Sequence, residues 1–366
     1  FCLAALTALT SLQLAPVQAA DKIGEDIYLF TDVKKTNTDV PNVLFLIDNT
    51  ANWETPFSDE MQALINAFNS VDENKFRVGL MMFTETGSGG GGGGKGNSGS
   101  GSTTPPASSY GNSNVDGAYV RAAIRTMDSS TKTKYGALIQ SLDKGGDKSN
   151  GGKAGKTMVE VYRYLKGAAP FAGNNKAKTD FTGNKGISTA SDAIYALSGN
   201  ALSSYAGTTY TAPPANGCAG TYVIYLSNRP VQDNTDDTKT ATTELTNAGA
   251  SQTLPSGLSS WTAPITLPVS GSEDNVADEW ARFMYRTMGV TFFTIDVVPK
   301  ATGQTPGWSA LLRSISTESA GTYYDLSKST NVKVDLDAAF GNILSKIQSV
   351  NSAFSSVSLP VSVNTQ

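Results

Sequence analysis

Histidine is absent from all 366 residues of this chain. That absence excludes Ser-His-Asp and Cys-His catalysis, histidine-ligated zinc and histidine-based pH switching. Cysteine is nearly absent, with only Cys2 and Cys218, too few for a disulfide framework. Charge is sparse: 16% of residues, a net charge of -4 and no basic run, which argues against a nucleic-acid surface. Long apolar runs are missing too. Residues 1–14 carry no charge, but Pro16 follows them, so the stretch is too short to span a membrane.

What is present is a hydrophobic fraction of 39% and 36 glycines, enough for a sizeable core. Residues 1–20 read as part of an export signal, with Val17-Gln18-Ala19 before Ala20-Asp21 as the small-residue cleavage site. The expectation is an exported protein. Residues 86–114 are dominated by Gly, Ser, Thr and Pro. Such a tract buries too little apolar surface to offset its ordering entropy, and reads as a surface insertion.

Between these segments, strands alternate with helices. Strand patterns fall at Val43–Ile47, Phe76–Phe83, Ala118–Met127, Thr221–Leu226, Val290–Val298 and Thr322–Leu326. Helical patterns fall after Ser58 (Met61, Leu64, Ile65, Phe68), at Lys134–Leu142, Lys156–Leu165, Thr240–Ala248, Asn275–Met288, Trp308–Ser316 and Val334–Val350. Gly167–Gly220 is polar and irregular apart from a short helical pattern at Ser191–Leu197. The alternation predicts an α/β, doubly wound, mostly parallel sheet with long loop insertions. One antiparallel edge pair comes from the second and third strands. The domain spans 40–350, and 351–366 reads as the start of a linker to a further C-terminal region.

Asn42-Val43-Leu44-Phe45-Leu46-Ile47-Asp48-Asn49-Thr50-Ala51-Asn52 is the most informative stretch. Its uncharged apolar run suits a strand buried on both faces. Asp48, Thr50 and Asn52 then follow at the strand's carboxyl end, where open α/β sheets place ligand sites. A carboxylate, a hydroxyl and an amide oxygen at alternate positions of a turning loop can converge on one hard cation. The same side chains can also serve as loop and helix caps.

Asp48-Asn49-Thr50-Ala51-Asn52 resembles the start of a metal-ion-dependent adhesion site in a von Willebrand factor A domain. Several ordered segments are similar to the N-terminal region of PilY-type proteins, the type IV pilus assembly and tip-adhesin family. They are Asn42 through Trp53, Tyr222-Val223-Ile224-Tyr225-Leu226-Ser227-Asn228, Asp274 through Phe283, Gly307-Trp308 and the tail Ser358–Gln366. The resemblance implies a six-stranded sheet with a divalent cation, Mg²⁺ or Ca²⁺, at the carboxyl-end loops. Carried onto this chain, the ligands are Asp48, Thr50 and Asn52, with Thr157 from the second loop and Asn228 in the slot of a third-loop aspartate. Only Asp48 among them is a carboxylate, which lowers the expected affinity.

The implied role is non-enzymatic. It is an exported module of the periplasm, cell surface and pilus tip, active in pilus biogenesis, attachment and twitching. Its partners are minor pilins or other tip components and a host or surface receptor. The alternative is a structural scaffold for tip assembly with a vestigial, metal-free site. Asn150 through Thr157 fails as a phosphate loop because Asn150 stands where a glycine is required. Asp233-Asn234-Thr235-Asp236-Asp237 reads as a solvated loop near the ion face. Asp278, Glu279 and Arg282 read as a helical ion pair, and Cys218 as a lone loop or buried thiol.

Overall fold

The computed structural model describes residues 40–50, 56–84, 116–145, 147–149, 152–172, 178–184, 194–204, 207–216, 219–228, 232–269, 275–297, 306–326 and 328–357. The expected export signal 1–20, the insertion 86–114, Asn52, Cys218 and the tail 358–366 lie outside them. Elements run in the order β1 (Asn42–Ile47), α1 (Phe57–Ser70), β2 (Arg77–Thr84), β3 (Gly117–Thr126), α2 (Ser129–Ser141), α3 (Ala154–Lys166) and β4 (Thr221–Ser227). They continue with α4 (Thr235–Gly249), α5 (Ala277–Met288), β5 (Val290–Asp296), α6 (Pro306–Glu318), β6 (Tyr323–Asp325) and α7 (Val332–Val357).

The strands form one six-stranded sheet in the order β3-β2-β1-β4-β5-β6. Every neighbouring pair is parallel except β2 with β3. The chain therefore winds outward one way from β1 through β2 and β3, then the other way from β4 through β6. The reversal lies between β1 and β4, with Ile47 paired to Leu226 at the end of the ladder. That junction is the crevice where doubly wound sheets hold their ligands.

Alternation along β1 explains the layering, because successive side chains leave a strand on opposite faces. Val43, Phe45 and Ile47 share a core with Met61, Leu64 and Phe68 of α1, with Tyr135 and Leu138 of α2, and with Phe340 and Ile343 of α7. Phe45 meets Phe68 at 5.0 Å and Phe340 at 5.4 Å between ring centres, both edge-on. Leu44 and Leu46 face the opposite core, with Met158 of α3, Trp280 of α5 and Trp308 of α6. Each such side chain contributes about 1.5–3 kcal/mol on leaving water, so β1 is pinned from both sides.

Helix boundaries differ from the hydrophobic pattern where polar caps extend them. α2 begins at Ser129, five positions before the expected Lys134, because the Asp128 carboxylate accepts from Thr131 N at 2.7 Å. α4 begins at Thr235 rather than Thr240, because Asn234 and Asp237 form a reciprocal capping box. The expected pairing of Arg282 with Asp278 or Glu279 does not form. Arg282 donates to the Trp261 and Ala263 carbonyls at 3.2 and 2.6 Å, while Asp278 accepts from Ser314 and Glu279 from Ile265 N. Burial and the adjacent Asp278 charge push Glu279 up to about 9.

Gly321 carries a steric requirement, since a Cβ there would run into the Phe292 carbonyl of the neighbouring strand. Gly341, on the exposed side of α7, would meet nothing within 4 Å. Gly321→Ala is expected to cost about 1–3 kcal/mol, and Gly341→Ala to gain about 0.5–1 kcal/mol. Chemical denaturation of both variants checks this; equal effects of the two would contradict the β5–β6 packing described.

Candidate functional site

Asp48 stands immediately beyond β1 and Asn228 immediately beyond β4, on either side of the winding reversal. Both are fully buried. The Asn228 backbone N–H donates to Asp48 Oδ2 at 3.0 Å, and Asn228 Nδ2 donates to the Asp48 carbonyl at 2.7 Å. Thr50 turns back on the same carboxylate: its N–H reaches Oδ1 at 3.0 Å, and its hydroxyl donates to Oδ1 as well. Three of the sequence-derived candidates thus meet at one point.

A second loop closes over the first. Asn49 Nδ2 donates to the Asp147 carbonyl at 2.6 Å, and Ser149 N donates to the Asn49 carbonyl at 2.7 Å. Gly152 then lies against Thr50, where a Cβ would stand 2.7 Å from Thr50 Cγ2. Only glycine permits that approach without displacing Thr50. Thr157 is placed differently. It sits one turn into α3, buried, and its hydroxyl donates to the Gly117 carbonyl at 3.2 Å. No hydrogen bond joins it to Asp48, Thr50 or Asn228 among the described residues.

The third loop holds the second in place. Gln232 N donates to the Gly152 carbonyl at 2.9 Å. Lys153 donates to the Gln232 carbonyl and pairs with Asp237 Oδ2 at 2.8 Å, while Lys156 pairs with Asp237 Oδ1 at 2.6 Å. Asp233 caps α3 across the loops, accepting from Ala154 N at 2.8 Å and Gly155 N at 3.1 Å. The stretch 233–237, expected to be solvated, therefore uses two of its carboxylates to lock α3 against α4. A carboxylate at a helix N-terminus is stabilised by the exposed N–H groups and the helix dipole.

Glu60 is the site residue that sequence reasoning missed. It lies in the first turn of α1, fully buried, and its Oε2 accepts from Asn228 Nδ2 at 3.3 Å. In sequence it is an ordinary first-turn acid beside Asp59, with nothing to mark it as inward-facing. The Asp48 carboxylate and the Thr50 hydroxyl meet directly, and Asn228 joins them through its backbone N–H while its side-chain amide bonds the Asp48 carbonyl. Asn228 Oδ1 is buried with no hydrogen-bond partner among the described residues, which costs free energy unless a cation or water meets it. Hard oxygens of this kind suit Mg²⁺ or Ca²⁺.

No protein-family model matches the sequence, and no curated protein matches it either. Solved structures of similar architecture include the PilB minor pilin from Streptococcus sanguinis, at 13% identity and a TM-score of 0.41, covering 90% of this chain and 65% of that one. The pilus adhesin SpaC from Lactobacillus rhamnosus GG has 10% identity and a TM-score of 0.41, covering 84% and 30%. BatB from Bacteroides thetaiotaomicron has 10% identity and a TM-score of 0.39, covering 86% and 99%. Likenesses this distant carry no inference about what the chain does.

Burial pushes Asp233 up to about 6, with the Asp237 charge adding to the effect against the two N–H groups it caps. The folded chain therefore holds this proton more tightly than the unfolded chain does. The resulting stability is present below about pH 4 and lost as pH rises to about 6. Relative to Asp233→Asn, the wild type is expected to lose stability between pH 4 and 7. Melting curves at stepped pH check this, and a constant difference between the two proteins would contradict it.

Proposed function

We propose that this chain is an exported, pilus-associated recognition module that binds partners at the β1/β4 rim through a divalent cation. The observation that carries the reading is the convergence of Asp48, Thr50 and Asn228 at the winding reversal, with Asn228 Oδ1 buried and unpartnered among the described residues. The ordered similarity of its segments to PilY-type N-terminal regions supplies the pilus context. In this reading Asp48, Thr50 and Asn228 supply oxygen ligands, with Asn52 completing the first loop. Thr157 serves α3 and β3 rather than the ion.

A bound divalent ion supplies a positive centre at which a carboxylate from a minor pilin, a tip component or a surface receptor completes the coordination shell. The chain's own part is to hold the ligand oxygens in register, through Asn49, Gly152 and the Asp237 clasp. Flanking loops of the same rim supply specificity. The role is binding rather than turnover: without histidine, none of these residues forms the usual nucleophile and base pairing.

A specific observation favours a second reading, a metal-free scaffold. Both Asp48 carboxylate oxygens already accept internal hydrogen bonds, which alone can stabilise a buried carboxylate. Calorimetric titration with Mg²⁺, Ca²⁺ and Mn²⁺ separates the two. The cation reading expects saturable heat for at least one ion, and about a tenfold or greater loss of affinity in Asp48→Ala with an unchanged circular dichroism spectrum. Absence of heat in the wild type at millimolar ion would favour the scaffold.

A further inference from the structure

Asn228 is held through its amide nitrogen from two directions. Nδ2 donates to the Asp48 carbonyl at 2.7 Å and to Glu60 Oε2 at 3.3 Å. A carbonyl only accepts hydrogen bonds, and Glu60 Oε2 lies on the same nitrogen side as the Asp48 carbonyl. Together they fix which end of the amide faces α1: nitrogen toward Glu60, Oδ1 away from it. The Oδ1 so placed is a buried oxygen with no hydrogen-bond partner among the described residues.

The same geometry explains why an amide suits position 228. An aspartate there would set a second carboxylate oxygen against Glu60 at close to 3.3 Å, with both side chains buried. Two carboxylates at that separation cannot both stay ionised at ordinary cost, and one takes up a proton. The neutral residue at 228 and the acid at 60 are therefore complementary.

We propose that Glu60 and Asn228 act as one unit, in which the second carboxylate of the rim site stands on α1 rather than on the loop after β4. Glu60 is a positioning residue that presents Asn228 Oδ1 as a ligand for a hard divalent cation. The ligand role rests on the cation reading above, whereas the pairing of the two side chains stands on geometry alone. The apparent shortage of carboxylates in the sequence is then a relocation of one carboxylate to α1. A cation there would be held by the Asp48 carboxylate, with the Glu60 carboxylate behind the Asn228 amide.

A mutant cycle on the full chain tests this with Glu60→Gln, Asn228→Asp and the double variant, read first by thermal melting without added ion at pH 8. Asn228→Asp is expected to lower the Tm, and Glu60→Gln/Asn228→Asp to recover most of the loss, because the glutamine amide donates to the new carboxylate. Titration with Mn²⁺ follows. Glu60→Gln is expected to weaken binding about tenfold or more, and the double variant to bind at least as tightly as wild type. If Asn228→Asp melts like the wild type, or the double variant shows the sum of the two single losses, the pairing is overturned. If the melts couple while Glu60→Gln binds Mn²⁺ with unchanged affinity, the positioning role is overturned and the cation reading stands. If the wild type itself takes up no Mn²⁺, the cation reading falls along with the ligand role, and the melting cycle alone decides the pairing.

Discussion

The hydrogen bonds that Asn228 donates to Asp48 across the β1/β4 junction are the contact on which the rest of the rim depends. Where the winding reverses, the connections of β1 and β4 leave in opposite directions, and the strand ends part around a crevice. Asp48 closes that crevice at both levels of the chain. Its backbone N–H bonds to the Leu226 carbonyl, and its carboxylate receives the Asn228 N–H. Thr50 is then drawn back onto Asp48, Gly152 fits against Thr50, and Gln232 binds Gly152. Three loops far apart in sequence are stacked by this chain of contacts.

Two buried carboxylates elsewhere are each answered by partners that tie an irregular segment to the fold. Asp180, fully buried, pairs with Arg125 of β3 at 2.6 Å and accepts from Ala123 N at 2.7 Å. It thereby lays the 178–184 segment along the free edge of β3, where exposed N–H and C=O groups would otherwise invite pairing with another chain. Glu160 of α3 accepts from Phe171 N, Ala172 N and Tyr210 OH at 3.0, 2.8 and 2.5 Å. Burial pushes it up to about 7 in spite of those donors. Removing either carboxylate would leave buried donors unpaired, a larger loss than the bonds themselves contribute.

The layered fold was legible because hydrophobic periodicity and strand burial are local signals. Val43 to Ile47 carries no polar residue, and only a strand covered on both faces tolerates that. Helix starts were less legible where a cap rather than an apolar stripe defines them, as at Asp128 and Asn234. Asp48 and Thr50 could be nominated because they follow a buried strand within one turn, and Asn228 because the family resemblance places it in a ligand slot just after another buried strand. Glu60 could not, since its inward orientation depends on the distance between α1 and β4, which no local pattern encodes. Asp233 and Asp180 were hidden for the same reason. Each looks like a polar loop residue until its partner, roughly 55 to 80 positions away, is brought to it by the fold.

Anomalous scattering from crystals soaked in Mn²⁺ tests the central claim most directly. The account predicts a single peak at the β1/β4 rim, within about 2.1–2.6 Å of oxygens of Asp48, Thr50 and Asn228. Density that leaves those oxygens bonded only to one another, with manganese absent or bound at another surface, would contradict it.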